Sequence, residues 1–146
     1  MSRENVALVR RLVPSPDADL VALFRDGGDT GPLGGVFASF FHADCEFVGH
    51  ILDGAPSLYT GLSGFRDGWR DWLAPWASYR TEMEDMIDLG DDVVVLVRDF
   101  GRRTPGAPEV DTITAGVYTV REGKIARAEF YSHRSDALKA VGLTDG

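Results

Sequence analysis

The apolar positions of the chain change period once, and the change separates a helical first part from a stranded second part. Val6, Val9, Leu12 and Val13 recur at helical spacing behind Ser2, a candidate N-cap, and Pro14 marks the end of that helix. Ser15-Pro16-Asp17 supplies a cap, a proline suited to the first helical position and an early acid, so a short second helix carrying Leu20, Leu23 and Phe24 is predicted. Asp26 to Gly31 is predicted as a loop, because glycine loses backbone entropy in a helix while Asp and Thr favour turns. Leu33, Val36, Phe37, Phe40 and Phe41 then follow the i, i+3, i+4, i+7, i+8 rhythm of an amphipathic helix.

Cys45 to His50 reads as a short strand, and Leu58-Tyr59-Thr60 as the end of another reached through the turn Asp53 to Pro56. Phe65, Trp69, Trp72, Leu73 and Trp76 keep helical spacing, with Arg66, Asp67, Arg70 and Asp71 on the other side, and Pro75 should kink or end the helix. From Tyr79 the period becomes two, with Tyr79, Thr81, Met83, Asp85, Ile87 and Leu89 on one face of a long strand. Turns at Gly90-Asp91-Asp92, Thr104 to Pro108 and Arg121-Glu122-Gly123 delimit strands at Val93 to Phe100, Val110 to Val120 and Lys124 to Ser132. A final helix is predicted over Ser135 to Val141, capped by Ser135 and stopped by Gly142. Helices followed by an antiparallel meander make an α+β domain with helices covering one face of a curved sheet.

Length and composition narrow the partners. A chain of 146 residues with 44% hydrophobic content closes one core, so a single domain over residues 1–146 is expected. A formal charge of −8 repels phosphate backbones and anionic lipid surfaces, so neither nucleic acid nor a membrane is an expected partner. The basic stretch Arg98 to Arg103 reads as alternating charge on a solvated hairpin. Cys45, the single cysteine, cannot form an internal disulfide and reads as a buried small hydrophobe. Met1 to Val13 lacks the unbroken apolar run of a signal peptide, and no segment approaches the ~20 apolar residues of a membrane span, so a cytoplasmic location is expected.

Arg3-Glu4-Asn5-Val6, His42-Ala43-Asp44, Gly61-Leu62-Ser63-Gly64-Phe65, Tyr79-Arg80, Ile87 to Asp91, Gly123-Lys124-Ile125 and Ala137 to Leu143 together resemble the SnoaL-like polyketide cyclase family of the nuclear-transport-factor-2-like superfamily. The resemblance implies a cone-shaped α+β fold with a pocket between the helices and the concave sheet face. That fold hosts cyclases, isomerases, epoxide hydrolases, dehydratases and proteins without known catalysis. The tyrosine and two acids of the steroid isomerases of this fold would fall near Arg11, Gly49 and Gly116, so that mechanism is disfavoured. Its epoxide hydrolases use an Asp-Arg-Asp set. Arg98 lies in the corresponding strand, but Phe100 stands where the second acid would be.

His42, Asp44 and Glu46 would share one face if their segment were extended. With His42 read at a helix end, Asp44 as a turn former and Glu46 as a solvent-side residue, no metal is assigned and no cofactor is expected. His50 is the candidate proton carrier, because it follows the strand that holds the base in related isomerases and titrates near neutrality. His133 is read as structural. A ligand-binding set is assigned to Phe47, Tyr59, Trp69, Trp72, Arg98, Thr114, Tyr118, Phe130 and Ser132, facing a small apolar molecule. Arg127, Glu129, Tyr131 and His133 form the opposite, water-facing or subunit-facing set. Tyr131 and the valines of Val93 to Val97 leave enough apolar surface there to expect a homodimer. Two functions follow. The leading one is a non-catalytic or metabolite-binding domain, and the alternative is a cofactor-independent cyclase or isomerase acting by proton transfer on a small apolar carbonyl compound.

Overall fold

The computed structural model describes residues 2–13, 16–22, 38–50 and 57–143. Helix α1 spans Ser2–Leu12, with Glu4 in its first turn and Arg10 and Arg11 in its last, charges that complement the helix dipole. Its apolar stripe buries Val9 completely. Asn5 donates from Nδ2 to the Gly90 carbonyl at 2.8 Å, tying the helix to a turn where glycine is required by a φ of +90°. Residues 20–22 are helical, and Leu20 and Val21 enter the core. The adjacent Asp19 carboxylate accepts from the Val21 and Tyr79 amides, both at 3.1 Å.

Strands β1 (Phe41–His50), β2 (Ser57–Thr60), β3 (Ser78–Asp88), β4 (Asp92–Arg102), β5 (Val110–Arg121) and β6 (Lys124–Tyr131) form one sheet in the order β2-β1-β6-β5-β4-β3. Strands β3 to β6 make the antiparallel meander, and β1 joins it in parallel with β6. Helix α2 (Gly61–Leu73) crosses the inner face, and α3 (Arg134–Ala140) lies on the outer one. Two cores result. Val93 and Val95 face inward with Val9, Phe47, Phe65 and Leu73, while Val94 faces outward with Ala115, Val117, Tyr131 and Ala137. Burial on both sides explains the unbroken valine run of β4. Gly142, at φ +80°, closes α3: its amide bonds the Lys139 carbonyl and the Leu143 amide the Leu138 carbonyl, the paired bonds of a Schellman cap.

The strands, α1 and α2 follow the sequence pattern, and Leu73 ends α2 just ahead of Pro75. Several local readings change. Ala38–Phe40 is a 3-10 turn and Phe41 opens β1, so the helical stripe expected from Leu33 does not reach Phe41; its earlier residues, like Leu23, Phe24 and the turns at 26–31 and 53–56, lie outside the described residues. His42 is therefore in a strand, not at a helix end. A register shift between Met83 and Asp85 breaks the alternation of β3, so that Met86 joins Tyr79, Thr81 and Met83 inside and Ile87 turns outward. Ser135 lies inside α3, with His133 at the cap position. Among the described residues no helix is long and apolar enough to cross a membrane.

Gly101 stands opposite Tyr79, and a Cβ there would sit 2.5 Å from the Trp76 ring. Gly101→Ala is expected to cost about 1–3 kcal/mol by overpacking. Chemical denaturation monitored by tryptophan emission checks this, and an unchanged midpoint would show that Trp76 yields freely.

Candidate active site

Register decides what faces inward. Thr81 pairs with Asp99 across β3 and β4, and Val97 pairs with Thr114, Val95 with Gly116 and Val93 with Tyr118 across β4 and β5. On β6, Ala128 and Phe130 stand opposite Tyr118 and Gly116. The alternate residues of β4 thus run Val93, Val95, Val97, Asp99, and an aspartate ends an otherwise apolar row. Asp99 is 8% exposed.

Its carboxylate is held by three hydroxyls. Tyr79 donates to Oδ2 at 2.7 Å, Thr81 to Oδ1 at 2.7 Å and Thr114 to Oδ2 at 3.1 Å. The Trp72 ring stands perpendicular to the Tyr79 ring at 6.0 Å, so α2 packs against the phenol that bonds the carboxylate. Asp19 fixes the Tyr79 backbone on the open edge of β3. Burial raises the Asp99 pKa, opposed in part by the hydrogen bonds from Thr81, Tyr79 and Thr114. The Tyr79 phenol is pushed far above its ordinary value by burial and by the Asp99 charge, so it stays a donor. An ionised carboxylate offers about four acceptor positions, and three are filled from the protein. The arrangement can exchange a proton through the remaining one.

Aromatic rings connect this cluster to the rest of the inner face. Trp69 meets Phe65 at 6.3 Å and Phe130 at 6.2 Å, and Phe130 meets Tyr118 at 5.9 Å, all edge to face. Of the ligand-binding set, Trp69, Trp72, Thr114, Tyr118 and Phe130 come together here. Phe47 is packed into a trio with Phe41 and Phe65 and serves the core. Tyr59 lies against Gly64 and Gly68 and donates to Asp71 at 2.8 Å, which docks α2 on β2. Ser132, just past β6, bonds the His50 carbonyl through its amide and hydroxyl.

Arg98 does not join the set. It faces outward, in ion pairs with Glu84 at 3.3 Å and Asp111 at 2.6 Å, because it alternates with the inward Val97 and Asp99. His50 is also on the outer face, 2.9 Å from Glu129 and stacked at 4.3 Å on Tyr131. Tyr131 itself is buried beneath α3, its phenol pushed up to about 12 by burial and by Glu129. The water-facing surface expected for Tyr131 is therefore largely covered by the chain's own helix. His42 donates to the Arg121 carbonyl at 2.6 Å, Asp44 and Glu46 are exposed, and no cluster of three metal-ligating side chains occurs among the described residues. Two grooves open elsewhere, one of about 380 Å³ along Glu4, Asn5, Leu8 and Arg11 and one of about 110 Å³ beside Asp19 and Arg80; neither is lined by Asp99.

A curved six-stranded sheet with helices over its inner face is the fold of the nuclear-transport-factor-2-like class. Within that class the chain belongs to the SnoaL-like domain family, whose model matches residues 20–128. The fold is shared with TerC, crystallised with polyporic acid, at 18% identity and a TM-score of 0.63 over 93% of this chain and 96% of that one. A candidate SnoaL-like polyketide cyclase from Jannaschia sp. CCS1 has 16% identity and a TM-score of 0.62, covering 97% and 92% of the two chains. A phenazine biosynthesis-related protein from Pseudomonas aeruginosa has 15% identity and a TM-score of 0.60, covering 99% and 85%. No curated protein matches the sequence.

A raised carboxyl pKa means that folding favours neutral Asp99. Its contribution to stability is fully present below the ordinary carboxylate range and is lost as pH rises through the folded pKa. Asp99→Asn should therefore gain on the wild type in melting temperature as pH rises from about 4 to 7. Parallel melting curves for the two proteins across that range would contradict the burial effect.

Proposed function

We propose that this chain is a cofactor-independent enzyme of the cyclase or isomerase type, acting by proton transfer on a small apolar carbonyl compound held against the inner sheet face. The observation that carries the reading is Asp99, a carboxylate with a raised pKa placed among apolar and aromatic side chains. One Asp99 oxygen takes the proton from the carbon next to the carbonyl, and the C–H electron pair moves into the new C=C bond as the C=O pair moves to oxygen. Where the enolate is conjugated with a further C=C bond, Asp99 returns the proton to the far carbon, which is isomerisation; where it attacks a second carbonyl carbon, the new alkoxide takes the proton back from Asp99 as the ring closes. Trp69, Trp72 and Phe130 are the apolar surfaces that this reading sets against the substrate. TerC and the candidate polyketide cyclase share the fold, which is compatible with this chemistry but does not carry it.

The competing reading, a binding domain without catalysis, has its own support in the three hydroxyls that already hold Asp99. Catalysed exchange of carbon-bound hydrogen for deuterium in a panel of cyclic ketones and 1,3-dicarbonyl compounds separates the two readings whatever the natural substrate is. The wild type should accelerate exchange, Asp99→Asn should lower it by about 10²–10⁴-fold, and His50→Gln on the outer face should leave it unchanged. Exchange that survives Asp99→Asn would take the base role from Asp99, and no exchange with any ketone returns the protein to the binding class.

The homodimer belongs to the same proposal on narrower ground. Val93, Val94, Val95 and Tyr131 are buried within one chain, so pairing would use the part of the outer face around Ile113, which is 41% exposed. Light scattering at low micromolar concentration should give twice the chain mass. A monomer, or a dimer that survives Ile113→Glu, would remove this interface.

A further inference from the structure

Helix α1 turns one stripe to the core and another to a groove. Asn5, Val9 and Leu12 face inward, and beside them Glu4, Ala7, Leu8 and Arg11 follow the i, i+3, i+4, i+7 spacing of a single helix face. Across from that second stripe stands Gly123, in the turn between β5 and β6, and a groove of about 380 Å³ separates the two. Both walls are anchored. Asn5 ties α1 to the Gly90 carbonyl at 2.8 Å, and His42 bonds the Arg121 carbonyl at 2.6 Å at the base of the turn. Glu122 and Gly123 take φ values of +54° and +78°, as a two-residue hairpin turn of fixed shape requires, and a Cβ on Gly123 would meet no atom within 4 Å. The groove is therefore preformed.

Two polar groups along it are unspent. Asn5 is only 7% exposed, and since a carbonyl can only accept, its amide nitrogen must face Gly90; Oδ1 is then the polar atom that the side chain brings to the groove. Among the described residues nothing donates to that oxygen. An acceptor on so enclosed a residue costs stability unless a donor reaches it. The Arg11 guanidinium likewise has no ion pair or hydrogen bond among the described residues, whereas Arg80, Arg98 and Arg134 each hold an acid.

Charge at the two ends of the stripe is opposite. Glu4 adjoins Asn5, and Arg11 lies two turns further on, about 10 Å along the helix, with the apolar Ala7 and Leu8 between them. A simple anion drawn to Arg11 would also meet the Glu4 carboxylate, and a simple cation would meet Arg11. A molecule carrying both charges, one at each end, matches both. The helix ends carry partial charges of about half a unit that favour the reverse orientation, but the unit charges of Glu4 and Arg11 outweigh them. We infer that this groove binds a small zwitterion, with its ammonium between the Glu4 carboxylate and Asn5 Oδ1, its carboxylate on the Arg11 guanidinium and its apolar middle on Ala7 and Leu8. Amino acids with a terminal amine and dipeptides share that chemistry. The site lies apart from Asp99 and does not depend on the proton-transfer reading.

Titration of the full chain with 6-aminohexanoate and with the dipeptide alanyl-leucine, followed through amide resonances at physiological salt, tests the inference. At least one of the two should shift the resonances of α1, Gly123 and the Asn5 side-chain amide saturably, and the tighter of them tells which source of zwitterion the groove prefers. Hexanoate and hexylamine, which carry one end each, should bind at least about 5-fold more weakly, and Arg11→Gln and Glu4→Gln should each weaken the zwitterion about 5-fold, the upper value for an exposed ion pair. Both side chains are exposed, so folding should be little affected. Ala7→Trp fills the groove without changing its charge and should abolish the shifts. Should a variant fold poorly, the Asn5 side-chain amide of the wild type still reports on the site. No saturable shift with either zwitterion, single-ended probes that bind as tightly, full affinity in Arg11→Gln or an Asn5 amide that stays unmoved at saturation would each overturn the inference.

Discussion

A carboxylate moved from water into an apolar interior loses hydration that no hydrocarbon neighbour replaces, so the inner face of this sheet holds Asp99 only because hydroxyls converge on it. Tyr79 and Thr81 come from β3, Thr114 from β5, and Asp99 itself from β4. The cluster therefore depends on the register of three strands at once. A slip of one residue in β4 would turn Asp99 to solvent and bring Arg98 inside. The same dependence runs outward, since Asp19 secures the Tyr79 backbone at the sheet edge and the Trp72 ring packs against its ring from α2.

The two faces of the sheet are built on different physics. Inside, α2 approaches closely because Gly64 meets the Tyr59 backbone and Gly68 its ring, and its tryptophans then meet Tyr79 and Phe130 edge to face. Outside, Arg98, Glu84, Asp111 and Arg134 form a partly exposed ion-pair network, which holds α3 near β3 and β4 but adds little stability in solvent. Charge that is cheap outside is costly inside, and the inward Asp99 is accordingly a group whose protonation the fold perturbs by burial.

Much of this architecture is legible in the residue pattern. The period change at Tyr79 marks the meander, the tryptophan spacing marks α2, and Thr114, Tyr118 and Phe130 fall on the inner face as their alternation implies. Asp99 escapes attention because an aspartate between Arg98 and Phe100 reads as a solvated hairpin residue, and the family pattern directs the eye to Arg98. Counting inward from Val93 and Val95 would have found it. His50 could not be placed that way. Its face follows from the parallel pairing of β1 with β6, a contact across about 80 residues that no local pattern encodes. The bulge near Glu84 is equally silent, since the residues around it alternate in either register.

The chemistry of the inner face turns on the ionisation of one buried group, and that group can be observed directly. Carbon-13 labelling of aspartate, with the Asp99 carboxyl resonance assigned by its loss in Asp99→Asn, allows its titration to be followed in the folded protein. The expected midpoint lies above the ordinary value of about 3.9 for an aspartate, and Tyr79→Phe should raise it further by removing a donor to the charged form. A midpoint at or below that ordinary value, unchanged by Tyr79→Phe, would contradict a carboxylate desolvated on the inner face and poised to accept a proton.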